Sequence, residues 1–99
     1  MNHKNRYWEI GQKEDGTLVG KLYLIDNNSK RLLLNFWQDK ENRSYYYYES
    51  KEFNCEEFIT VNSLREAKEK FEEYVMLWIA LEIDHWEIMK EQFNEEETE

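Results

Sequence analysis

The sequence predicts an α+β fold, an antiparallel meander of four to five strands followed by one long C-terminal helix packed on one sheet face. Up to about residue 61, short runs rich in apolar and aromatic residues are separated by polar turns, which is typical of strands. After Ser63 the apolar residues recur every three or four positions, which is typical of a helix. The chain has no proline and three glycines, so no flexible linker divides it. We expect one domain over residues 1–99, with disordered ends at 1–5 and 95–99.

Each predicted strand is bounded by a turn whose residue types favour chain reversal. Asp15-Gly16 is a strong hairpin signal, because both residues tolerate positive φ. Two further polar turns follow, at residues 26–29 and 39–43. Short turns between sequential strands predict an antiparallel meander. The predicted strands are Arg6–Gln12, Thr17–Ile25, Arg31–Gln38 and Ser44–Glu49, with Phe58–Val61 as a short fifth.

The helix is predicted to begin at Ser63 and to run to about Phe93. Ser63 and Glu66 have the spacing of a capping box, in which each side chain accepts a backbone N–H of the first turn. One continuous helix would be roughly 46 Å long at 1.5 Å per residue. Asp84 could cap a second helix, so a break there is the alternative. The predicted core stripe is Leu64, Ala67, Phe71, Tyr74, Trp78, Leu81 and His85.

Charge is distributed unevenly along the chain, whose net charge is −9. Residues 1–51 carry nine basic and seven acidic side chains, whereas residues 52–99 carry four and fifteen. The acidic half should repel nucleic acids and anionic membranes and attract a basic partner. The longest apolar run has eight residues, and a membrane-spanning helix needs about 20. With a single cysteine and no apolar leader, we expect a cytoplasmic protein that does not enter a membrane.

The residues that could support catalysis are few. His3 lies near the start of the chain, His85 lies on the apolar helix stripe, and Cys55 is flanked by two glutamates that should raise the pKa of its thiol. These three residues do not have the spacing of metal ligands. We therefore expect no enzyme, no metal and no cofactor.

Both faces of the predicted sheet carry large apolar side chains, and one helix can cover only one of them. In the run Tyr45–Tyr48, neighbouring rings point to opposite faces. The second face is either a small secondary core covered by other segments, or an exposed aromatic patch that binds a ligand. An aromatic sheet with nearby basic residues is typical of single-stranded nucleic-acid binding, which is our alternative function. The residues predicted for it are Lys21, Tyr23, Trp37, Arg43, Tyr46 and Tyr48.

The helix carries a second apolar stripe beside the first, more apolar surface than the sheet of so small a domain can cover. Association of two copies about a twofold axis would bury it, so we expect a homodimer. The residues predicted for self-association are Met76, Ile79, Ile83 and Trp86.

An acidic face of the helix completes the predicted surface. It is formed by Glu69, Glu73, Glu87 and Glu91. Such a face could occupy the basic groove of a partner protein, and small acidic inhibitors from phages and mobile elements are similar in composition. Our leading hypothesis is therefore a non-catalytic, acidic protein-interaction module that regulates or inhibits a basic partner protein.

Overall fold

The computed structural model describes residues 5–26, 28–81 and 93, and within them it shows a five-stranded antiparallel sheet and one helix. The strands lie in the order β1-β2-β3-β4-β5, and the helix α1 packs against the sheet, so the predicted α+β meander is confirmed. No helix of the described part is long and apolar enough to cross a membrane. The elements are β1 (Arg6–Gln12), β2 (Leu18–Asp26), β3 (Ser29–Gln38), β4 (Tyr45–Ser50), β5 (Cys55–Thr60) and α1 (Leu64–Leu81).

The turns form at residues that tolerate the left-handed backbone conformation. Gly16 has φ 88° between β1 and β2, and Asn28 has φ 69° between β2 and β3. Asn54, with φ 53°, likewise adopts a left-handed conformation in the turn before β5. Strand β5 starts at Cys55, three residues earlier than predicted. Asp15 fixes the first turn, since its carboxylate accepts the Thr17 hydroxyl at 2.6 Å and the Thr17 N–H at 2.9 Å. These hydrogen bonds lower the pKa of Asp15.

The start of α1 follows the predicted capping box with one difference. The Ser63 hydroxyl accepts the Glu66 N–H at 3.1 Å, as expected. The Glu66 carboxylate accepts the N–H of Asn62 at 2.7 Å, rather than that of Ser63. Two donors at the helix start are thereby satisfied.

The core lies between α1 and one face of the sheet. The buried residues of α1 repeat every four positions, at Ala67, Phe71, Val75 and Ile79. The Phe71 ring stacks on Phe36 at 5.2 Å between centroids. Leu81 was predicted to belong to the core stripe, and this is wrong, because its side chain is 75% exposed. The sheet residues buried in this core are Leu22, Leu24, Leu33, Leu34, Phe36, Tyr46 and Tyr48.

A bulge in β3 changes the faces predicted for two leucines. Leu22 pairs with Leu34, but Tyr23 pairs with Leu32, so Leu33 is an extra residue in β3. Strict alternation would place Leu32 with Leu34 in the core and Leu33 on the other face. The bulge instead leaves Leu32 exposed and buries Leu33. The buried Ser50 hydroxyl donates to the Leu33 carbonyl oxygen at 2.6 Å, which satisfies that group at the irregularity.

The position of Phe93 shows that α1 does not continue straight to that residue. A straight helix would separate the Cα atoms of Glu72 and Phe93 by about 31 Å. Yet the Arg6 guanidinium lies 3.0 Å from a Glu72 carboxylate oxygen and donates to the Phe93 carbonyl oxygen at 3.2 Å. Phe93 is also fully buried. The prediction of one straight, continuous helix from Ser63 to Phe93 is therefore wrong.

Several predictions fall on residues beyond the described ranges. The alternative helix break at Asp84 lies outside them, as do both predicted disordered ends except Asn5. The Asn5 carbonyl oxygen accepts the Ile25 N–H at 2.8 Å, which extends the pairing of the first hairpin by one residue.

Candidate binding surface on the open sheet face

The side of the sheet that faces away from α1 is covered by no element of the described chain, and we call it the open face. Alternation along each strand assigns its residues, because side chains of every second residue share a face. Phe58 is 51% exposed and Tyr7 is 44% exposed, which is high for residues of this size. The open face comprises Tyr7, Glu9, Gly11, Val19, Lys21, Tyr23, Leu32, Asn35, Trp37, Tyr45, Tyr47, Glu49, Glu56 and Phe58.

Four aromatic rings cross three neighbouring strands of the open face, and we call them the aromatic ladder. Trp37 pairs with Tyr47, and Tyr47 pairs with Phe58, on β3, β4 and β5 respectively. The ring centroids of both pairs are 6.0 Å apart. Tyr45 completes the ladder, with its centroid 5.4 Å from that of Phe58. Cross-strand aromatic pairs contribute about 0.2–1 kcal/mol each, so the ladder is held in place before any ligand arrives.

A second aromatic group, the tyrosine pair, lies toward the other end of β1 and β2. The centroids of Tyr7 and Tyr23 are 6.1 Å apart. The Lys30 ammonium lies over both rings, at 5.4 and 4.8 Å from their centroids. This cation–π contact occupies one face of each ring with a charge that belongs to the chain itself.

Between these two aromatic groups runs a line of cross-strand partners that we call the polar row. It consists of Glu9, Lys21, Asn35, Glu49 and Glu56, one from each strand. Glu49 and Glu56 are direct cross-strand neighbours, and like charges in that position are destabilising. No salt bridge among the described residues includes Lys21, Glu49 or Glu56. The row therefore offers both signs of charge to a ligand.

A shallow groove of about 450 Å³ lies at the β1 end of the open face. Gly11, which has no side chain, lines it beside Val19 and Trp37. Lys21 and Asn35 of the polar row line it as well. The groove gives the face a concave end, whereas the Phe58 side chain is half-exposed at the β5 end.

No protein-family model matches the chain, and no curated protein or solved structure matches it either.

The open face contains only part of the residue set predicted for nucleic-acid binding. Lys21, Tyr23 and Trp37 lie on it, but Tyr46 and Tyr48 are only 2% and 6% exposed, because they pack beneath α1. Their placement is a correction, since the alternation of the tyrosine run did not show which pair faces the helix. The Arg43 guanidinium donates to the Asp15 carbonyl oxygen at 2.8 Å, so it links two turns. The residues missed were Tyr7, Tyr45, Tyr47 and Phe58.

The residues predicted for self-association do not form one exposed surface. Ile79 is 0% exposed because it belongs to the stripe of α1 that faces the sheet, so its predicted role is corrected. Met76 is half-buried against the core. Ile83 and Trp86 lie outside the described residues.

The predicted acidic face is visible only at its beginning. Glu69 and Glu73 are exposed on α1, where their carboxylates lie 3.7 Å from Arg65 and 3.9 Å from Lys70. Surface ion pairs of this kind contribute little, but they lower the local excess of negative charge. Glu87 and Glu91 lie outside the described residues.

The one cysteine is held in a poorly reactive state. Burial raises the pKa of the Cys55 thiol, the charge of Glu57 raises it further, and a hydrogen bond with Tyr48 partly offsets both. A thiol with a raised pKa is a weak nucleophile at neutral pH. Among the described residues, no group of three or more histidine, cysteine or acidic side chains could hold a metal ion.

Proposed function

We propose that this protein is a non-catalytic interaction module that binds another polypeptide through the open face of its sheet. The observation that carries the proposal is the aromatic ladder, a set of ordered rings on a sheet face that no described element covers.

The chemistry of the open face favours a protein ligand. Tyrosine and tryptophan are enriched among the residues that dominate binding energy, because they bury a large area at a small cost in side-chain entropy. In the ladder that cost is lower still, since ring–ring contacts already restrict the rings. The polar row can fix the register of a partner, because each of its charges must meet a suitable group.

The opposed carboxylates of Glu49 and Glu56 favour a cationic group on the partner. A lysine or arginine placed between them would relieve their repulsion. The cationic group expected on a partner would therefore contact the sheet and not the helix. A module that binds without catalysing acts by occupying a surface of its partner, which is how a regulator or inhibitor works.

Site-specific photocrosslinking in the source cell tests this proposal. A photoreactive phenylalanine analogue replaces Tyr47 in one variant and Lys70, on the outer side of α1, in the control. We expect irradiation to give discrete protein adducts from position 47 and none of the same mass from position 70. Adducts should disappear when Trp37→Ala is added. Equal labelling at both positions, or none at position 47, contradicts the proposal.

Single-stranded nucleic-acid binding is a second candidate, favoured by the accessible rings of the ladder beside Lys21. The charge of the open face opposes it, because Glu9, Glu49 and Glu56 outnumber Lys21 and Lys30. Fluorescence anisotropy of a labelled oligonucleotide should therefore stay unchanged at about 50 mM salt, where phosphate contacts are strong. A rise that is lost in Trp37→Ala would favour nucleic acid instead.

A further inference from the structure

We infer that the partner of the open face is a second copy of this chain, packed face to face about a twofold axis parallel to β3. The inference rests on the proposed function and names the polypeptide that the face binds. Two sheets commonly pack face to face with their strands roughly aligned. A rotation of 180° about an axis along β3 brings β1 opposite β5 of the second copy and β2 opposite β4. Each residue then faces a residue from the same row, meaning the same line of cross-strand partners.

The shape of the open face is complementary to itself under this operation. One row of cross-strand partners runs from Gly11 and Val19 through Trp37 to Tyr47 and Phe58. It is concave at the glycine end, where the groove of about 450 Å³ lies, and at the other end it presents the half-exposed ring of Phe58. The twofold axis places Phe58 of each copy over Gly11 of the other.

One pair of opposite charges in the polar row is brought together in the same arrangement. Lys21 on β2 lies opposite Glu49 on β4 of the second copy, and the pair occurs twice. Within one chain these two groups belong to strands two spacings apart, about 10 Å. The second copy thus supplies the cation that Glu49 lacks among the described residues. Glu9 meets Glu56 at the rim of the interface, where water screens the repulsion.

The residues of β3 meet their own equivalents at the axis. Trp37 faces Trp37, which buries the largest aromatic ring of the ladder near the centre. Asn35 faces Asn35, and an amide carries both donors and an acceptor, so it can pair with its own copy. A self-facing charge on β3 would be repelled, and the polar row has its neutral residue at this position.

The size of the open face is adequate for a weak dimer. Five strands at about 4.8 Å, paired over four to eight residues at about 3.3 Å each, give a footprint of roughly 20 Å by 20 Å. Rings that stand off the sheet add accessible area to that footprint. Because the footprint itself is about 400 Å², the interface lies below the standard size of about 800 Å² per partner, in the range of weaker complexes.

Charge-swap variants give the decisive experiment, with mass measured by sedimentation equilibrium on the full chain. The wild type should sediment at twice 12.3 kDa. Lys21→Glu and Glu49→Lys should each raise the dimer dissociation constant about tenfold or more, because each creates two like-charge pairs across the axis. An equimolar mixture of the two variants should recover a dimer, because every swapped charge then meets its opposite. Lys70→Glu on the outer side of α1 is the matched control and should sediment as the wild type.

A change of shape provides an independent variant. Gly11→Val places a branched side chain inside the groove, where a Cβ meets nothing closer than the Val19 side chain at 3.5 Å. The dimer should dissociate, since Phe58 of the second copy loses its place. Circular dichroism melts verify that each variant is folded.

The outcomes separate this inference from the proposed function. A wild-type mass of 12.3 kDa at high micromolar concentration overturns the second copy as partner, and crosslinks from position 47 to a different protein would leave the proposed function standing. If the dimer persists in Gly11→Val and in both single charge-swap variants, the open face is not the dimer interface. If both variants are folded and their mixture does not associate, Lys21 does not pair with Glu49 of the second copy. The proposed twofold axis along β3 is then wrong as well.

Discussion

The indole N–H of Trp8 donates a hydrogen bond to a carboxylate oxygen of Glu72 at 2.7 Å, and this contact joins the first strand to the middle of the helix. The other oxygen of the same carboxylate lies 3.0 Å from the Arg6 guanidinium. One side chain of α1 thus satisfies two half-buried donors on β1. The pair fixes where the helix crosses the sheet, which apolar packing alone specifies less sharply.

Replacing Glu72 with alanine should destabilise the fold. The change leaves the Trp8 N–H without this acceptor and removes a charge partner from a guanidinium that is only 9% exposed. We expect the free energy of unfolding to fall by about 2 kcal/mol, as measured by urea denaturation. Glu73→Ala, one position along on the exposed side, is the control and should change it by less than about 0.5 kcal/mol. Equal effects of the two changes would contradict a special role for Glu72.

Two phenylalanines should respond very differently to the same truncation. Phe93 is fully buried and its ring lies 4.3 Å from the Arg6 guanidinium carbon, so Phe93→Ala should cost about 3 kcal/mol or more. Phe58 is half-exposed on the open face, and Phe58→Ala should cost less than about 1 kcal/mol. Thermal unfolding at low micromolar concentration, where association contributes least, measures both. Equal stabilities of the Phe93→Ala and Phe58→Ala variants would contradict the position of Phe93 in the core.

Two glycines in neighbouring strands provide another matched comparison. A Cβ on Gly20 would overlap the buried ring of Phe36 and approach the Ile10 side chain to 2.8 Å. Gly20→Ala should therefore destabilise the protein by about 1–3 kcal/mol through overpacking. Gly11→Ala meets only ordinary contact distances, at 3.5 Å from Val19, and should be neutral or slightly stabilising. Denaturant midpoints compare the two, and equal midpoints would mean that Phe36 yields without cost.

Stability should fall in the alkaline range because of a buried tyrosine. Burial raises the pKa of Tyr48 to about 12, whereas an unfolded tyrosine titrates near pH 10. Between those values the unfolded chain has released a proton that the folded chain retains, so the free energy of unfolding decreases as pH rises. Cys55 acts in the same direction from lower pH, since its pKa is raised as well.

Denaturation curves collected from pH 8 to pH 12 measure this effect. In Tyr48→Phe the fall above pH 10 should become shallower, because one titrating group is gone. Tyr47→Phe on the open face is the control and should keep the steeper fall. Identical alkaline slopes in Tyr48→Phe and the wild type would exclude Tyr48 as its source.

The sequence predicted the elements and their order well, because turn chemistry and the change of hydrophobic period are local signals. The Asp15-Gly16 turn and the Ser63 cap on the Glu66 N–H both form at the predicted positions. The start of β5 was missed because Glu56 and Glu57 obscure its alternation.

The side chains of the open face were only partly predictable. Alternation separated Tyr45 and Tyr47 from Tyr46 and Tyr48, but the choice between the pairs depends on which one lies beneath α1. The bulge at Leu33 has no local signature in a run of three leucines, although it decides which of them is exposed. The position of Phe93 depends on its contact with Arg6, which periodicity cannot show.

The contact between Arg6 and Phe93 also constrains how the protein can fold during synthesis. The two residues are 87 positions apart, so the guanidinium of the first strand cannot meet the Phe93 carbonyl until residue 93 itself has left the ribosome. The meander can pair earlier, since each strand follows its neighbour in sequence. A nascent chain halted before residue 93 would therefore hold an assembled sheet whose opening strand still lacks one of its final contacts.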